Sequence, residues 1–516
     1  MVVGFSAIRR WTAELLEPPA GPAPGLRAYR FDANGGYTQL HLRVEEGGAG
    51  LLFVDAMDVL YLTPTAAEIA WHALEGRSQA AATRSLLARY RGAPRARIAA
   101  DVESTYAMIQ RLATPSSGCR TCDLPLQREA PFSRRASAPF KVDLALTYQC
   151  QNACPHCYND PTHFDIAPLG LDGWTRILDL MHRVGVPHII LTGGEATLHP
   201  DLLAIVRAAA QRGLICGLNS NGRRLARGSL ARELERAGLA HLQVTLESHA
   251  REVHDAMVGA RAFDDTVAGI RAAIQAGIPT ITNTTLTRRN RDDVERTMDY
   301  LHGLGIRTFA MNGMIYSGGG AANPDAIPEE QLAPLLLRVR DHARERGMRF
   351  LWYTPTEYCR MNPVELEIGA KRCNAAEYSV CIEPDGSVLP CQSYYTAAGN
   401  VLRDPWEQIW NSELFRSFRD RELDPKGYGL PEKCWECPDL PLCGGGCRIE
   451  REARAKGEAG CGTCEGRGCH VSSAGGGRSS WNAPHPAALI PISEIPFRER
   501  RSSGAAAIPA LQEVRA

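Results

Sequence analysis

The sequence predicts an α/β protein: a partial parallel barrel of six βα units, with a small α+β unit before it and a cysteine-rich region after it. Three observations carry this. Strand-like and helix-like runs alternate from 141 to about 350, a pattern that builds a parallel sheet with helices outside. Residues 37–115 read instead as strands followed by helices. Residues 351–470 hold short segments, many Pro and Gly, and eleven cysteines, so that region is expected to depend on metal for its core.

The elements follow in order. Residues 1–36 form an extension rich in Pro, Gly and Ala. TQLHLRV (38–44), GLLFVD (50–55) and DVLYL (58–62) read as short strands between turn signals. Thr63 or Thr65 caps the next helix, TAAEIAWHALEG, which stops at Gly76. Two more helical runs follow, AAATRSLLARYRG and ADVESTYAMIQRLA. Residues 116–140 are a linker carrying Cys119 and Cys122. The barrel strands are KVDLALT, HIILT, LICGLN, HLQVTL, TITNTTL and RTFAMN, with amphipathic helices between them. Six units imply an open barrel, not the closed eight-stranded form. The tail, 471–516, has the composition of a disordered segment.

Bulk properties exclude several classes. Lys plus Arg equals Asp plus Glu at 58 each, so nucleic-acid binding through a strongly basic surface is not expected. No apolar run approaches the ~20 residues of a membrane span, and the N-terminus lacks a secretory apolar core. We therefore read the protein as cytoplasmic. Its 17 cysteines are then poor disulfide material. Fourteen lie in three groups, 150–157, 359–391 and 434–469, which points to metal. Cys216 lies on the third barrel strand and reads as a core residue.

The sharpest motif is CQNACPHC, with Cys150, Cys154 and Cys157 directly after the first barrel strand. Chemistry in such folds sits at the C-terminal strand ends. Structural zinc takes four protein ligands, so a zinc knuckle here would need a distant fourth. Three thiolates on a four-iron cluster leave one iron open. The spacing resembles the signature of the radical SAM superfamily, and the resemblance continues along the strand ends. LTGGEATLHP supplies Gly193, Gly194 and Glu195, matching the family's GGE motif; NSNG, Asn219 to Gly222, follows the third strand. The resemblance implies that the cluster is 4Fe–4S and that S-adenosylmethionine (SAM) chelates its open iron. It implies too that the GGE turn takes the SAM ammonium. Thr245 and Glu247 are then expected near the ribose, Asn283 on the fifth strand is a further cofactor contact, and His156 is expected near the adenine.

The second cysteine field resembles the SPASM extension of radical SAM maturases. It reads Cys373-x12-Gly386-x4-Cys391, then Cys434-x2-Cys437-x5-Cys443-x3-Cys447. The resemblance implies two auxiliary 4Fe–4S clusters, the first on Cys373, Cys391 and Cys447, the second on Cys434, Cys437, Cys443 and a seventh cysteine. Cys464 is chosen for that place on gap length over Cys461 and Cys469. The first cluster's fourth ligand stays open between Cys359, Cys381 and none.

Residues 37–115 resemble the PqqD-like recognition domain of ribosomal-peptide maturases, a winged-helix-like α+β unit, chiefly through YLTPTAAEIAWHALEG. Such a domain binds a leader peptide by strand addition; the expected edge is LLFVD. Together the resemblances imply a radical SAM oxidoreductase that oxidatively crosslinks a precursor peptide, with thioether formation one possibility, fed by a flavodoxin- or ferredoxin-type electron donor. Two other readings are a haem precursor or folded protein as substrate, and an iron–sulfur redox sensor binding DNA through the N-terminal unit.

Overall fold

The computed structural model describes residues 21–33, 36–56, 58–90, 92–114, 121, 124, 131–456 and 512–513. Cys119, Cys122, Cys461, Cys464, Cys469 and most of the tail lie outside the described residues. The chain forms two compact units.

The first unit holds an antiparallel sheet. β1 (Gly25–Ala33), β2 (Gly36–Val44), β3 (Gly50–Val54) and β4 (Asp58–Leu62) lie side by side, and β15 (Gln512–Glu513) pairs with the outer side of β1 at Arg30 and Tyr29. Helices α1 (Pro64–Leu74), α2 (Gln79–Arg89) and α3 (Arg95–Ala113) follow. The Thr63 hydroxyl accepts from the N–H of Ala66 and Ser78 from that of Ala81, so each side chain meets a donor the first helical turn leaves unpaired. Leu40, Leu42 and Val44 of β2 pack with Ala67, Ala70 and Leu74 of α1 and Ile109 and Leu112 of α3. β1 was not expected from the sequence. LLFVD is not an edge either: β3 pairs with β2 through Leu42↔Leu52 and with β4 through Leu52↔Leu60, and all five of its residues are buried. An unbroken apolar run needs cover on both faces, which an interior strand has.

The second unit is built on a ten-stranded sheet. Its strands are β5 (Lys141–Thr147), β6 (His188–Gly193), β7 (Ile215–Ser220), β8 (His241–Thr245), β9 (Thr280–Thr285), β10 (Thr308–Asn312), β11 (Arg349–Trp352), β12 (Ser379–Ile382), β13 (Ser387–Leu389) and β14 (Gly399–Asn400). From β11 through β5 to β12 the neighbours are parallel; β13 and β14 add antiparallel. The connecting helices are α4 (Leu171–Arg183), α5 (Leu202–Gln211), α6 (Leu230–Ala237), α7 (Arg251–Val258), α8 (Phe263–Ala276), α9 (Val294–Gly303) and α10 (Glu329–Glu345). In α4, Trp174, Ile177, Leu178 and Met181 are buried at the i, i+3, i+4, i+7 spacing of one helix face. Strand β12 comes from the cysteine-rich region yet pairs with β5, Ser379↔Lys141 to Ile382↔Leu144. Because β5 to β10 run parallel, their C-terminal ends share one rim.

At the opposite end of the strands, His188 Nε2 and His241 Nε2 lie 2.8 Å apart, both buried. Gly217 on β7 makes room: a Cβ there would lie 2.0 Å from His241 Cε1.

Candidate active site

The loop after β5 carries Cys150, Cys154 and Cys157, all free thiols. Backbone contacts pin it from three sides. The N–H of Ala153 donates to Val258 O at 3.0 Å, the N–H of Gly319 donates to Cys157 O at 2.8 Å, and Asn323 Nδ2 donates to Pro155 O at 3.1 Å. Burial pushes all three thiols up, and Cys157 and Cys150 reinforce this at Cys154. A cation beside these thiols would favour their thiolate form against burial, so this donor set fits a group that brings positive iron to the loop. Among the described residues no three His, Cys, Asp or Glu side chains converge on a single-ion site. A four-iron cluster takes one thiolate per iron, so its ligands need not meet at a point.

The GGE turn lies against this loop. The N–H of Gly194 donates to Thr147 O at 2.7 Å and that of Glu195 to Gln149 O at 2.8 Å. Gly193 has φ +128°, and a Cβ on it would sit 2.2 Å from Thr147 O. On Gly194 a Cβ would sit 2.4 Å from Tyr148 O. The two glycines therefore let the exits of β5 and β6 touch, backbone to backbone.

Glu195 is 1% exposed. Its Oε1 accepts from Thr197 N–H (3.1 Å), Thr197 Oγ1 (2.6 Å) and Ser220 Oγ (2.8 Å), and its Oε2 from Asn221 N–H (2.7 Å). This carboxylate ties the exit of β6 to that of β7, which explains part of the NSNG stretch. Beyond β8, Glu247 is equally buried: Oε1 meets His156 Nε2 at 3.0 Å and Oε2 accepts Thr285 N–H at 2.7 Å. Burial alone would lower the His156 pKa, yet Glu247 raises it above the ordinary histidine value. Glu247 thus fixes the imidazole of the residue that precedes Cys157 in the loop. Thr245 and Asn283 are neighbours in register on β8 and β9, and Asn283 Nδ2 donates to Asn312 Oδ1 at 2.8 Å.

The second cysteine field divides into two groups. Cys373 and Cys391 both act on Cys447, and Cys373 acts on Cys391. Burial first, then Cys373, pushes Cys391 up to about 12, and burial with Cys373 and Cys391 raises Cys447. Cys434 and Cys443 form the other group, with Cys437 packed against Cys434. Cys359 belongs beside this second group: its Sγ accepts from Lys433 Nζ at 3.3 Å, and it adds to the charge at Cys434. Cys381 is buried on β12 and interacts with Cys391 and Asp143.

Sequence reasoning missed the bridge between the cysteine loop and the segments on either side of Cys391. Asn159 Nδ2 donates to Gly193 O (3.2 Å) and Asn159 Oδ1 accepts from Tyr395 (3.1 Å). Glu383 Oε1 accepts from Tyr148 (3.0 Å) and faces His163 Nδ1 (2.6 Å). These are isolated polar residues far apart in sequence and carry no local motif.

Comparison with known proteins agrees with this arrangement. The profile of the radical SAM superfamily matches residues 144–301, and that of the SPASM iron–sulfur cluster-binding domain matches 373–438. A PqqA peptide cyclase from Ruegeria pomeroyi is 30% identical over 342 residues, 63% of this chain and 87% of that protein. An AdoMet-dependent heme synthase from Methanosarcina barkeri is 28% identical over 342 residues, 61% of this chain and 93% of that protein. The crystal structure of Streptococcus suis SuiB bound to S-adenosylmethionine superposes with a TM-score of 0.59 at 17% identity, over 80% of this chain and 94% of that one, and so shares the fold. With three thiols on the loop after β5, a glycine turn locked against them and a second cysteine field beyond the barrel, the chain belongs to the radical SAM superfamily, as an enzyme that uses SAM and 4Fe–4S clusters and carries a SPASM domain.

Proposed function

We propose that this enzyme oxidatively crosslinks a ribosomally made precursor peptide. The observation that carries the reading is the similarity to a PqqA peptide cyclase across 87% of that protein's length. When bound, SAM and the reduced cluster would supply a 5′-deoxyadenosyl radical that takes one hydrogen atom from the substrate; the second hydrogen lost in the crosslink would leave as a proton, its electron passing to an auxiliary cluster. The chain's residues do the rest. Cys150, Cys154 and Cys157 hold the SAM cluster. The backbone of Gly193 and Gly194, locked by Glu195, shapes the seat for the SAM amino acid. His156, fixed by Glu247, is assigned to the adenine, Thr245 and Glu247 to the ribose, and Asn283 to a further cofactor contact. Cys373, Cys391 and Cys447 hold one auxiliary cluster. Cys434, Cys437 and Cys443 hold a second, with Cys464 assigned to it from the spacing. A flavodoxin- or ferredoxin-type protein supplies electrons.

In this proposal residues 37–115, extended by β1, read the leader, while 141–350 and 351–470 carry the chemistry. The edge for strand addition is that of β1, whose outer side already accepts β15 at Tyr29 and Arg30. A second reading takes a haem precursor as substrate, favoured by the 28% identity to a heme synthase. The test is mass spectrometry of a full-length precursor, its leaderless core peptide and a haem precursor after anaerobic reaction with SAM and reductant. The peptide reading requires loss of two hydrogens from the full-length precursor and much less from the core. A variant lacking residues 1–115 should still cleave SAM yet lose the preference for the full-length precursor. Equal turnover of precursor and core by the intact chain defeats the leader-reading role.

A further inference from the structure

Asn221 sits at the exit of β7, facing the cysteine loop. Its Nδ2 lies 3.9 Å from Cys150 Sγ. The rest of its polar atoms are engaged, and they decide which way the amide points. Oδ1 accepts from Gln151 Nε2 at 3.3 Å and from the N–H of Arg223 at 3.1 Å, so the NH2 end is the one turned to sulfur. The backbone is held as firmly: the N–H donates to Glu195 Oε2 at 2.7 Å and the carbonyl accepts from Thr266 Oγ1 at 2.9 Å. A second donor meets the same sulfur, the N–H of Asn152 at 3.4 Å. Two N–H groups thus converge on one of the three thiols.

Hydrogen bonds to ligand sulfurs are one of the levers that set an iron–sulfur potential. Adding an electron to a cluster adds negative charge to its sulfurs. A donor aimed at a more negative acceptor binds it more strongly. The donor therefore favours the reduced state.

We propose that Asn221 is a tuning residue: its amide donates to the Cys150 thiolate and makes the SAM cluster easier to reduce, with Glu195 holding Asn221 in place. This rests on Cys150 being a ligand of that cluster. Low potential is the obstacle to generating the radical, so a donor at this sulfur widens the range of one-electron protein donors that can drive the enzyme.

The test is an EPR-monitored redox titration of the full-length, anaerobically reconstituted enzyme, with mediators and dithionite. The reduced signal that changes shape when SAM is added identifies the SAM cluster. Asn221→Leu removes the donor and keeps the volume; Asn221→Asp keeps the shape and removes the donor. In Asn221→Leu the reduction constant should fall about tenfold, which is 59 mV for one electron. Asn221→Asp should fall at least as far. Iron content and the auxiliary signals should match the unaltered enzyme. A loaded variant with an unchanged midpoint overturns the proposal. So does loss of the SAM-responsive cluster in both variants while auxiliary iron remains, because Asn221 would then be only a strut for the loop. If the unaltered enzyme shows no SAM-responsive signal, the ligand assignment of Cys150 falls first.

Discussion

Removing the Glu195 carboxylate separates two roles for this residue. The family resemblance puts Glu195 beside the SAM ammonium, whereas the structure surrounds it with four protein donors. In Glu195→Ala the Thr197 and Ser220 hydroxyls can turn elsewhere, and Ser220 Oγ already accepts from the N–H of Gly222. The backbone N–H groups of Thr197 and Asn221 have no such freedom. Each buried donor left without an acceptor costs about 1–3 kcal/mol, so the pair costs about 2–6 kcal/mol. At about 3 kcal/mol the local opening constant rises roughly a hundredfold. Amide hydrogen exchange by mass spectrometry, on the SAM-free enzyme, reads this in peptides covering 193–198 and 219–224. SAM affinity should fall together with that protection. Glu195→Gln, which keeps one acceptor and turns an NH2 toward a backbone donor, should lie between. If Glu195→Ala exchanges at the unaltered rate while SAM binding weakens about tenfold, the carboxylate serves SAM directly and the reasoning from its hydrogen bonds fails.

Three further outcomes are expected. Cys154→Ala should abolish 5′-deoxyadenosine formation while iron at the second cysteine field persists; full SAM cleavage would remove Cys154 from the cluster. Gly194→Ala should lose SAM-cluster iron, since its Cβ would meet Tyr148 O at 2.4 Å, and normal loading would refute the tight turn. His241 has its pKa lowered to about 3, by burial and then by Lys141, so the folded state resists its protonation. The unfolded chain takes that proton near pH 6.5, so this contribution is complete above 6.5 and declines as pH falls toward 3, by about 2 kcal/mol between pH 7 and 5. Melting temperatures against pH should show this slope in the enzyme and less of it in His241→Gln; parallel curves would exclude it.

The barrel was legible because its strands are apolar runs and its helices carry one apolar face. The rim was legible because cysteine spacing and a GGE turn are local signals. What stayed hidden has physical causes. β1 interrupts its apolar residues with Arg27, Arg30 and Asp32, as an outer strand can. α7, REVHDAMV, is eight residues long and half polar, too short for a periodic signal. LLFVD reads as an edge in the sequence, whereas the strand that contains most of it, Gly50–Val54, is buried at all five residues as an interior strand. Glu195 reads as a contact for a ligand, and Asn221 only as part of the NSNG stretch. Their partnership depends on two strands meeting at one rim, which spacing within either motif does not encode.

The pairing of β12 with β5 bears on how the chain reaches its native state. Lys141 and Ser379 are neighbours in the sheet although most of the barrel lies between them in sequence. During synthesis the side of β5 away from β6 remains uncovered until the segment around 379–382 has left the ribosome. An open strand edge of that kind invites pairing with other chains, and contacts between distant segments form slowly. The four residues of β12 cover that edge late in synthesis, and until they do the edge of β5 stays open to pairing with other chains. They also carry Cys381 and lead toward Cys391, so under the proposed cluster assignment sheet completion and assembly of that thiol group would be coupled. Cells short of iron would then accumulate chains with an unsealed barrel, and chaperone dependence of this protein should rise when cluster supply is low.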